Sequence, residues 1–281
     1  MTRLVVGSPE HKRVFCREFI DTHNPYDPKK TAWPTLEPEA VERLRAMPFW
    51  DEAISTETDV ARKVEALVPL QSDPLLREAI ALQGFEEFRH AALLQEMLRH
   101  YEIPEPTVSV EPPRRDPLWG FLRTGYGECF DSFFAFGLFS LARDVRLFPE
   151  PLLDVLEPVV QEEARHILFF VNWVAYERAL DPWYRQPLHI ARCALALGMQ
   201  MGIRIRTAAS LAIGGGGSTD HSDEDFMIGV QESLDLASSP KRIVATCLRE
   251  NDARLRSFDG RLLRPRLVPA LARMAAAVIP G

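Results

Sequence analysis

The sequence predicts an all-α fold: four antiparallel helices in a bundle with one long crossover, extended by C-terminal helices and preceded by an N-terminal arm. Three observations predict it. The 22 prolines leave six long proline-free windows, 49–68, 75–103, 118–148, 159–181, 188–239 and 241–264. A proline inside a helix removes a hydrogen bond and clashes with the preceding turn, so these windows are where helices can run. Short Pro-bearing joints separate the first two windows (Pro69, Pro74) and the next two (Pro149, Pro151, Pro158), while a long Pro-rich stretch, 104–117, lies between the pairs. Short, long, short is the rhythm of a bundle with one crossover. Within the second window Ile80, Phe88, Ala91, Leu94 and Leu98 recur at three- and four-residue steps or their multiples, the period of a helix.

Taken in order, residues 1–48, with Pro25, Pro28, Pro34, Pro38 and Pro48, read as an irregular arm packed on the outside of the bundle. Residues 49–181 hold the four bundle helices. In the third of these, Phe130, Phe133, Phe134, Phe136, Leu138 and Phe139 point all around the axis, so that helix is expected to be central and buried, its aromatics serving as core. Residues 182–281 supply three additional helices of the same domain, broken by the glycine run 214–217, which reads as a flexible loop. No Gly-Lys-Ser/Thr follows that run, so it is not a phosphate cradle.

Composition narrows the function. At 281 residues, 46% hydrophobic and 26% charged, the chain is long enough to bury a core without disulfides. A formal charge of −7 argues against nucleic acid and anionic membranes as partners. The apolar stretch 188–213 contains Arg192, Arg204 and Arg206, which a spanning helix would have to bury, so it reads as a soluble helix. Cys16, Cys129, Cys193 and Cys247 form no Cys-x-x-Cys pair, and no signal segment is evident, so a reduced, cytoplasmic setting is the expectation.

The informative feature is a repeat. Glu86-Glu87-Phe88-Arg89-His90 and Glu162-Glu163-Ala164-Arg165-His166 lie in the second and fourth windows, and of the seven histidines only His90 and His166 have a Glu three residues earlier. On a helix, positions i and i+3 stand about 60° apart, so each motif aims a carboxylate and an imidazole at one point. Each helix thus offers half a metal site, and mixed oxygen and imidazole ligands suit iron or manganese. One such motif is a weak signal; two, on alternate members of a four-helix rhythm, are a strong one.

The other two helices must supply bridging carboxylates. In an antiparallel pair, residues equidistant from the turn meet at one level, so a first turn centred near Ser72–Asp73 sets Glu57 opposite Glu87. Glu65 lies about two helical turns nearer the turn. On the third helix a turn placed early in the joint favours Glu128, with Asp131 one turn on as a supporting acid. A later turn would favour Asp144. Four carboxylates, Glu57, Glu87, Glu128 and Glu163, cannot stay ionised among Phe and Leu unless cations join them, and two divalent ions bring +4 against their −4. The acids Glu86 and Glu162 emerge beside the histidines, Glu86 to accept the ring N–H of His166 and Glu162 that of His90, fixing the metal-binding tautomer. Arg89 and Arg165 fall on the far flank, to pair with acids around the cage or simply to be solvated.

On these paired [Asp/Glu]-Glu-x-Arg-His motifs, residues of about 50–180 resemble the ferritin-like di-iron carboxylate proteins, in particular the acyl-carrier-protein desaturases and the bacterial multicomponent monooxygenase hydroxylases. The resemblance implies two iron ions, with manganese or a mixed pair also served, held by Glu57, Glu87, His90, Glu128, Glu163 and His166. It implies that Glu87 or Glu163 shifts between chelating and bridging. It also implies an oxidoreductase that activates O2 to oxidise a small organic substrate, drawing on an electron-donor protein, with Leu94, Phe170 and Phe134 walling the pocket. A homodimer is the ordinary expectation.

Departures from the family narrow this. Where the radical-generating subunit of ribonucleotide reductase places a tyrosine one turn beyond the first motif's His, this chain has Leu94, which disfavours a tyrosyl-radical role, though Tyr126 and Tyr176 are left unplaced. The nitrogen-oxidising variant's extra His is replaced by Val159. The arm and the roughly 100 residues after the bundle argue against a storage cage, leaving ferroxidase or metal sequestration as the alternative. A metal-free module docking through its basic C-terminal end (Lys241, Arg242, Arg249, Arg254, Arg256, Arg261, Arg264, Arg266) is a third class.

Overall fold

Nine α-helices and no strand occur among the described residues of the computed structural model, which are 4–47, 49–105, 116–212 and 239–278. Helix α1 spans Pro9–Asp21, α2 Pro38–Ala46, α3 Trp50–Leu67, α4 Pro74–His100, α5 Pro117–Asp144, α6 Glu150–Leu180, α7 Gln186–Ala212, α8 Pro240–Arg254 and α9 Leu267–Val278. The glycine run 214–217 lies outside the described residues.

Helices α3 to α6 enclose a common interior. α3 packs on α4, α5 packs on α6, and α3 also packs on α5. α4 and α6 run antiparallel and are joined by side chains, Arg89 and His90 meeting Glu162 while Arg165 and His166 meet Glu86. Starts and stops are written locally. Asp73 caps α4 by accepting from the amides of Leu75 (3.0 Å) and Leu76 (3.2 Å), with Pro74 in the first turn. α4 and α5 both end with a left-handed residue, Glu102 (φ 54°) and Arg146 (φ 53°). In each the next amide reaches back to close the last turn, Ile103 to Leu98 (2.8 Å) and Leu147 to Ala142 (2.9 Å).

Two expectations need correction. The arm is not irregular: it contains α1 and α2, and each begins on a proline, Pro9 behind the capping Ser8 and Pro38 behind Glu37. Proline breaks a helix interior but is pre-shaped for the first turn, so those two residues start helices rather than stop them. The second correction concerns α6, which begins at Glu150 and carries Pro158 inside it. The hydrogen bond Pro158 forgoes is outweighed by the apolar burial along the 31-residue helix. The joint between α5 and α6 therefore falls at residues 145–149, an early turn.

α5 is the central helix, in contact with α3, α6, α7, α8 and α9. Its glycines permit this. At Gly137 a Cβ would lie 2.9 Å from backbone atoms of Cys247 on α8, and at Gly125 it would lie 2.2 Å from the ring of Phe170. The apolar core divides in two. The larger cluster includes Val64, Ala79, Ile80, Phe133 and Ile167. A smaller one, capped by Leu44 of α2, includes Ile54, Ala91, Met97 and Leu152. The residues between them on α3, α4 and α6 are the polar ones of the repeat. α1 lies across α4 and α6, burying Phe15, Cys16 and Phe19. No helix among the described residues is long and apolar enough to cross a membrane, and the four cysteines are free and buried.

Replacing Gly137 by Ala forces α8 away from α5, because the obstruction is backbone and cannot rotate aside. Chemical denaturation should show a loss of about 1–3 kcal/mol, the range for overpacked cores.

Candidate metal centre

The two motif helices present their acids and imidazoles to one buried volume. The rings of His90 and His166 stack, centroids 5.6 Å apart at 28°, a separation two neighbouring ions can share. Nδ1 of His90 faces Glu163 (3.2 Å), Glu57 (3.4 Å) and Glu87 (3.8 Å). Nδ1 of His166 faces Glu87 (2.9 Å) and Glu163 (3.7 Å). Two groups of ligand type result, Glu57 with Glu87, His90 and Glu163, and Glu87 with Glu128 and His166, the ligand atoms within each lying within 4.8 Å of one another. Glu87 belongs to both.

The residues fit a metal pair on an observation independent of any family. Nδ1 of His90 and His166 and Oε1 of Glu87, Glu128 and Glu163 are all buried, and no hydrogen bond satisfies any of them. Such groups normally find partners, since an unpaired buried polar atom costs about 1–3 kcal/mol. Five of them converging on one volume describe a coordination shell.

Behind this shell lies a second layer, built crosswise. Glu162 Oε2 takes the Nε2–H of His90 (2.8 Å) and Glu86 Oε2 that of His166 (3.0 Å), as the motif geometry predicts. The other oxygens are held by the motif arginines, Glu162 Oε1 by Arg89 Nη2 (2.6 Å) and Glu86 Oε1 by Arg165 Nη2. Both arginines are buried, so the paired reading holds over the solvated one. Each is steered by the arm: Arg165 donates to the Phe19 carbonyl (3.1 Å) and Arg89 to that of Asn24 (2.9 Å), with the Tyr26 ring 3.9 Å beneath its guanidinium. His23, Glu86 and Glu162 also cluster, but the two arginines already neutralise both acids, leaving that cluster no call for a cation.

The remaining expectations sort by position. Glu57 and Glu128 lie in the cage, so the turn-symmetry argument selects Glu128 over its neighbours. Asp131, expected beside the cage, pairs with Arg204 of α7. Asp144 is exposed at the end of α5, 3.9 Å from Arg242. Glu65 is exposed on α3 against Gly84. Leu94, Phe170 and Phe134 are packing residues: Leu94 rests on the smaller core, Phe170 stacks on Phe121 and Tyr126, and Phe134 rests on the larger core. Two polar partners went unpredicted, Gln83, which donates to Glu128, and Ser132, which donates to Glu163 (both 3.4 Å). Each stands four residues from a ligand, Gln83 before Glu87 and Ser132 after Glu128, so the helical period could have found them.

Electrostatics show what the cage does without metal. Burial pushes the Glu57 carboxyl up to about 8 against the pull of His90. Burial, with Glu87 and Glu163, raises Glu128 well above the carboxylate range. Burial opposes charging of His90, but Glu162, Glu163 and Glu57 outweigh it and hold its imidazolium well above the usual value. For His166, Glu87, Glu163 and Glu86 outweigh burial in the same way. Glu163 and Glu86 are held low despite burial, Glu163 by His166 and His90 and Glu86 by His166 and Arg165. The second layer is thus balanced by arginine, and the inner layer balances itself with protons on Glu57, Glu128, His90 and His166.

The cage opens on one side. The side chains of Glu57 and Glu163 are 23% and 18% exposed, whereas His90, His166 and Glu87 are 2% or less.

Two divalent ions should displace about four protons near neutral pH, because coordination needs neutral imidazole and ionised carboxylate. Calorimetry in buffers of different ionisation enthalpy measures that number. Raised pKa values stabilise the metal-free fold below the unfolded values, 4.5 for Glu57, and that contribution is lost as pH rises through the folded value of about 8. The melting temperatures of metal-loaded and metal-free protein should therefore diverge as pH rises from 5 to 8. No protein-family model matches the chain, and neither a curated protein nor a solved structure matches it.

Proposed function

We propose that the protein is a ferritin-like di-iron, or iron/manganese, oxidoreductase that activates O2 at a carboxylate-bridged dinuclear centre and oxidises a small organic substrate. The observation that carries this reading is the convergence of five unpaired buried ligand atoms from α4, α5 and α6, with each imidazole backed by an acid of the opposing helix. When bound, the metal pair supplies electrons to O2 and Lewis acidity toward its reduced forms.

The chain's own residues supply the rest. Glu162 and Glu86 hold the Nε2 protons of His90 and His166, so each ring turns Nδ1 inward as a neutral donor. Glu87, common to both groups, would serve both ions, and Glu163 faces both imidazoles. Arg89 and Arg165, each held by a carbonyl of the arm, back the cage from the rear. O2 and substrate approach from the opposite side, where Glu57 and Glu163 meet solvent. The Glu128 carboxyl, whose Oε2 accepts from the Gln83 amide, can hold or release a proton within the cage. Turnover would draw on an external reductant, such as an electron-donor protein. Docking through the basic C-terminal end has less support, since Arg254 is bound to Glu157 (2.7 Å) and Arg261 to Asp259 (2.5 Å).

Anaerobic protein loaded with Fe(II) and mixed with O2 should show a transient visible absorption. Glu87→Ala and His90→Ala should lose it, and Glu65→Ala should keep it. Conversion of excess Fe(II) to ferric mineral inside a hollow assembly would instead assign the protein to metal storage.

A further inference from the structure

The two halves of the second layer are related by an approximate twofold exchange of α4 and α6: Arg89, Glu162 and His90 on one side, Arg165, Glu86 and His166 on the other. The arm breaks that symmetry. His23, just past α1, donates from Nδ1 to Glu86 Oε1, and its ring rests edge-on against Phe85 (6.4 Å). Glu86 itself is wholly buried, while the His23 side chain is 22% exposed. His23 also lies within 4.8 Å of the Glu162 carboxylate, but its hydrogen bond goes to Glu86. Glu162 lines a cleft of about 390 Å³, together with Thr22, Asn24, Gln161 and Arg165.

The consequence is mechanical. Glu86 is fixed by three donors, His23, Arg165 and His166. Its Oε2 therefore cannot swing away from the His166 ring. Glu162 has two donors and an open flank. A metal ligand's affinity depends on how firmly the group behind it holds the ring. The same region of the arm braces Arg165 through the Phe19 carbonyl and packs the Phe19 ring 5.8 Å from His166. His23 is thus the outermost link of a chain that ends on one imidazole and not on the other.

We propose that His23 is a positioning residue for the metal centre: through Glu86 it fixes the His166 ring and tightens binding of the ion on that half of the site. This rests on the dinuclear reading above.

The test is anaerobic titration of the full-length, metal-free protein with Co(II), followed by its visible spectrum, for wild type, His23→Leu, His23→Ala and His23→Asn. Truncation to Leu or Ala should weaken one of the two ions about tenfold or more, the range for lost support behind a ligand, and leave the other within about twofold. Asn retains an N–H where Nδ1 stood and should restore both. In Zn(II)-loaded, ¹⁵N-labelled protein the His166 Nε2–H should exchange faster with solvent in His23→Leu, while that of His90 is unchanged. A general loosening of the fold would not produce that split. Wild-type affinity for both ions in both truncations, or equal weakening of both, would overturn the positioning role and leave the dinuclear reading standing. A wild type that binds neither Co(II) nor Zn(II) would overturn both.

Discussion

The structure depends on one awkward burial: four carboxylates and two imidazoles removed from water between helices whose other inward residues are Phe, Leu and Ile. An isolated ionised carboxylate in such a place is costly, so it must be paired, protonated or bound to metal. The fold uses a different answer in each layer. The rear acids, Glu86 and Glu162, are paired with arginines of the opposing helix. The inner acids face no arginine. They share protons with the imidazoles, in an arrangement that could hold a metal.

That constraint explains features that otherwise look unrelated. The core is split into two clusters because the polar layer interrupts it. The arm folds onto α4 and α6 because the buried arginines need more acceptors than two carboxylates offer, and the Phe19 and Asn24 carbonyls supply them. α5 can be apolar nearly all around because it gives the cage one acid, Glu128, and otherwise serves as the axle on which α6, α7 and α8 pack. Its glycines are where that packing is closest.

Much of this was legible because helices make position periodic. The repeat at 86–90 and 162–166 fixed which atoms converge, the turn near Asp73 fixed Glu57, and one helical angle fixed the crosswise acids. Legibility failed where the informative contact lies outside a helical period. Nothing local marks His23, whose partner Glu86 is 63 residues away. Proline misled twice for one reason: it forbids an amide donor, which is harmless in a first turn, as at Pro9 and Pro38, and affordable once inside a long buried helix, as at Pro158. Asp131, three residues and about 60° of helical rotation from Glu128, lies far enough round α5 to pair with Arg204 of α7.

The asymmetry of the centre is the feature a symmetric motif pair would not suggest. The His90 group contains the partly exposed Glu57 and Glu163, while the His166 group contains the buried Glu128 and the better braced ring, and Glu87 is common to both. A pair of ions held so differently is suited to a division of labour. On the proposed reading, the His166 position would hold its ion more rigidly, and the His90 position, with the more exposed carboxylates, would face the open side. Chemistry that must bind O2, admit substrate and still keep both metals needs that combination, because a ligand set loose enough to rearrange on both sides would lose its ions. The arm holds both rear arginines but adds His23 to the Glu86 half alone, so in the proposed centre that half would have the firmer support.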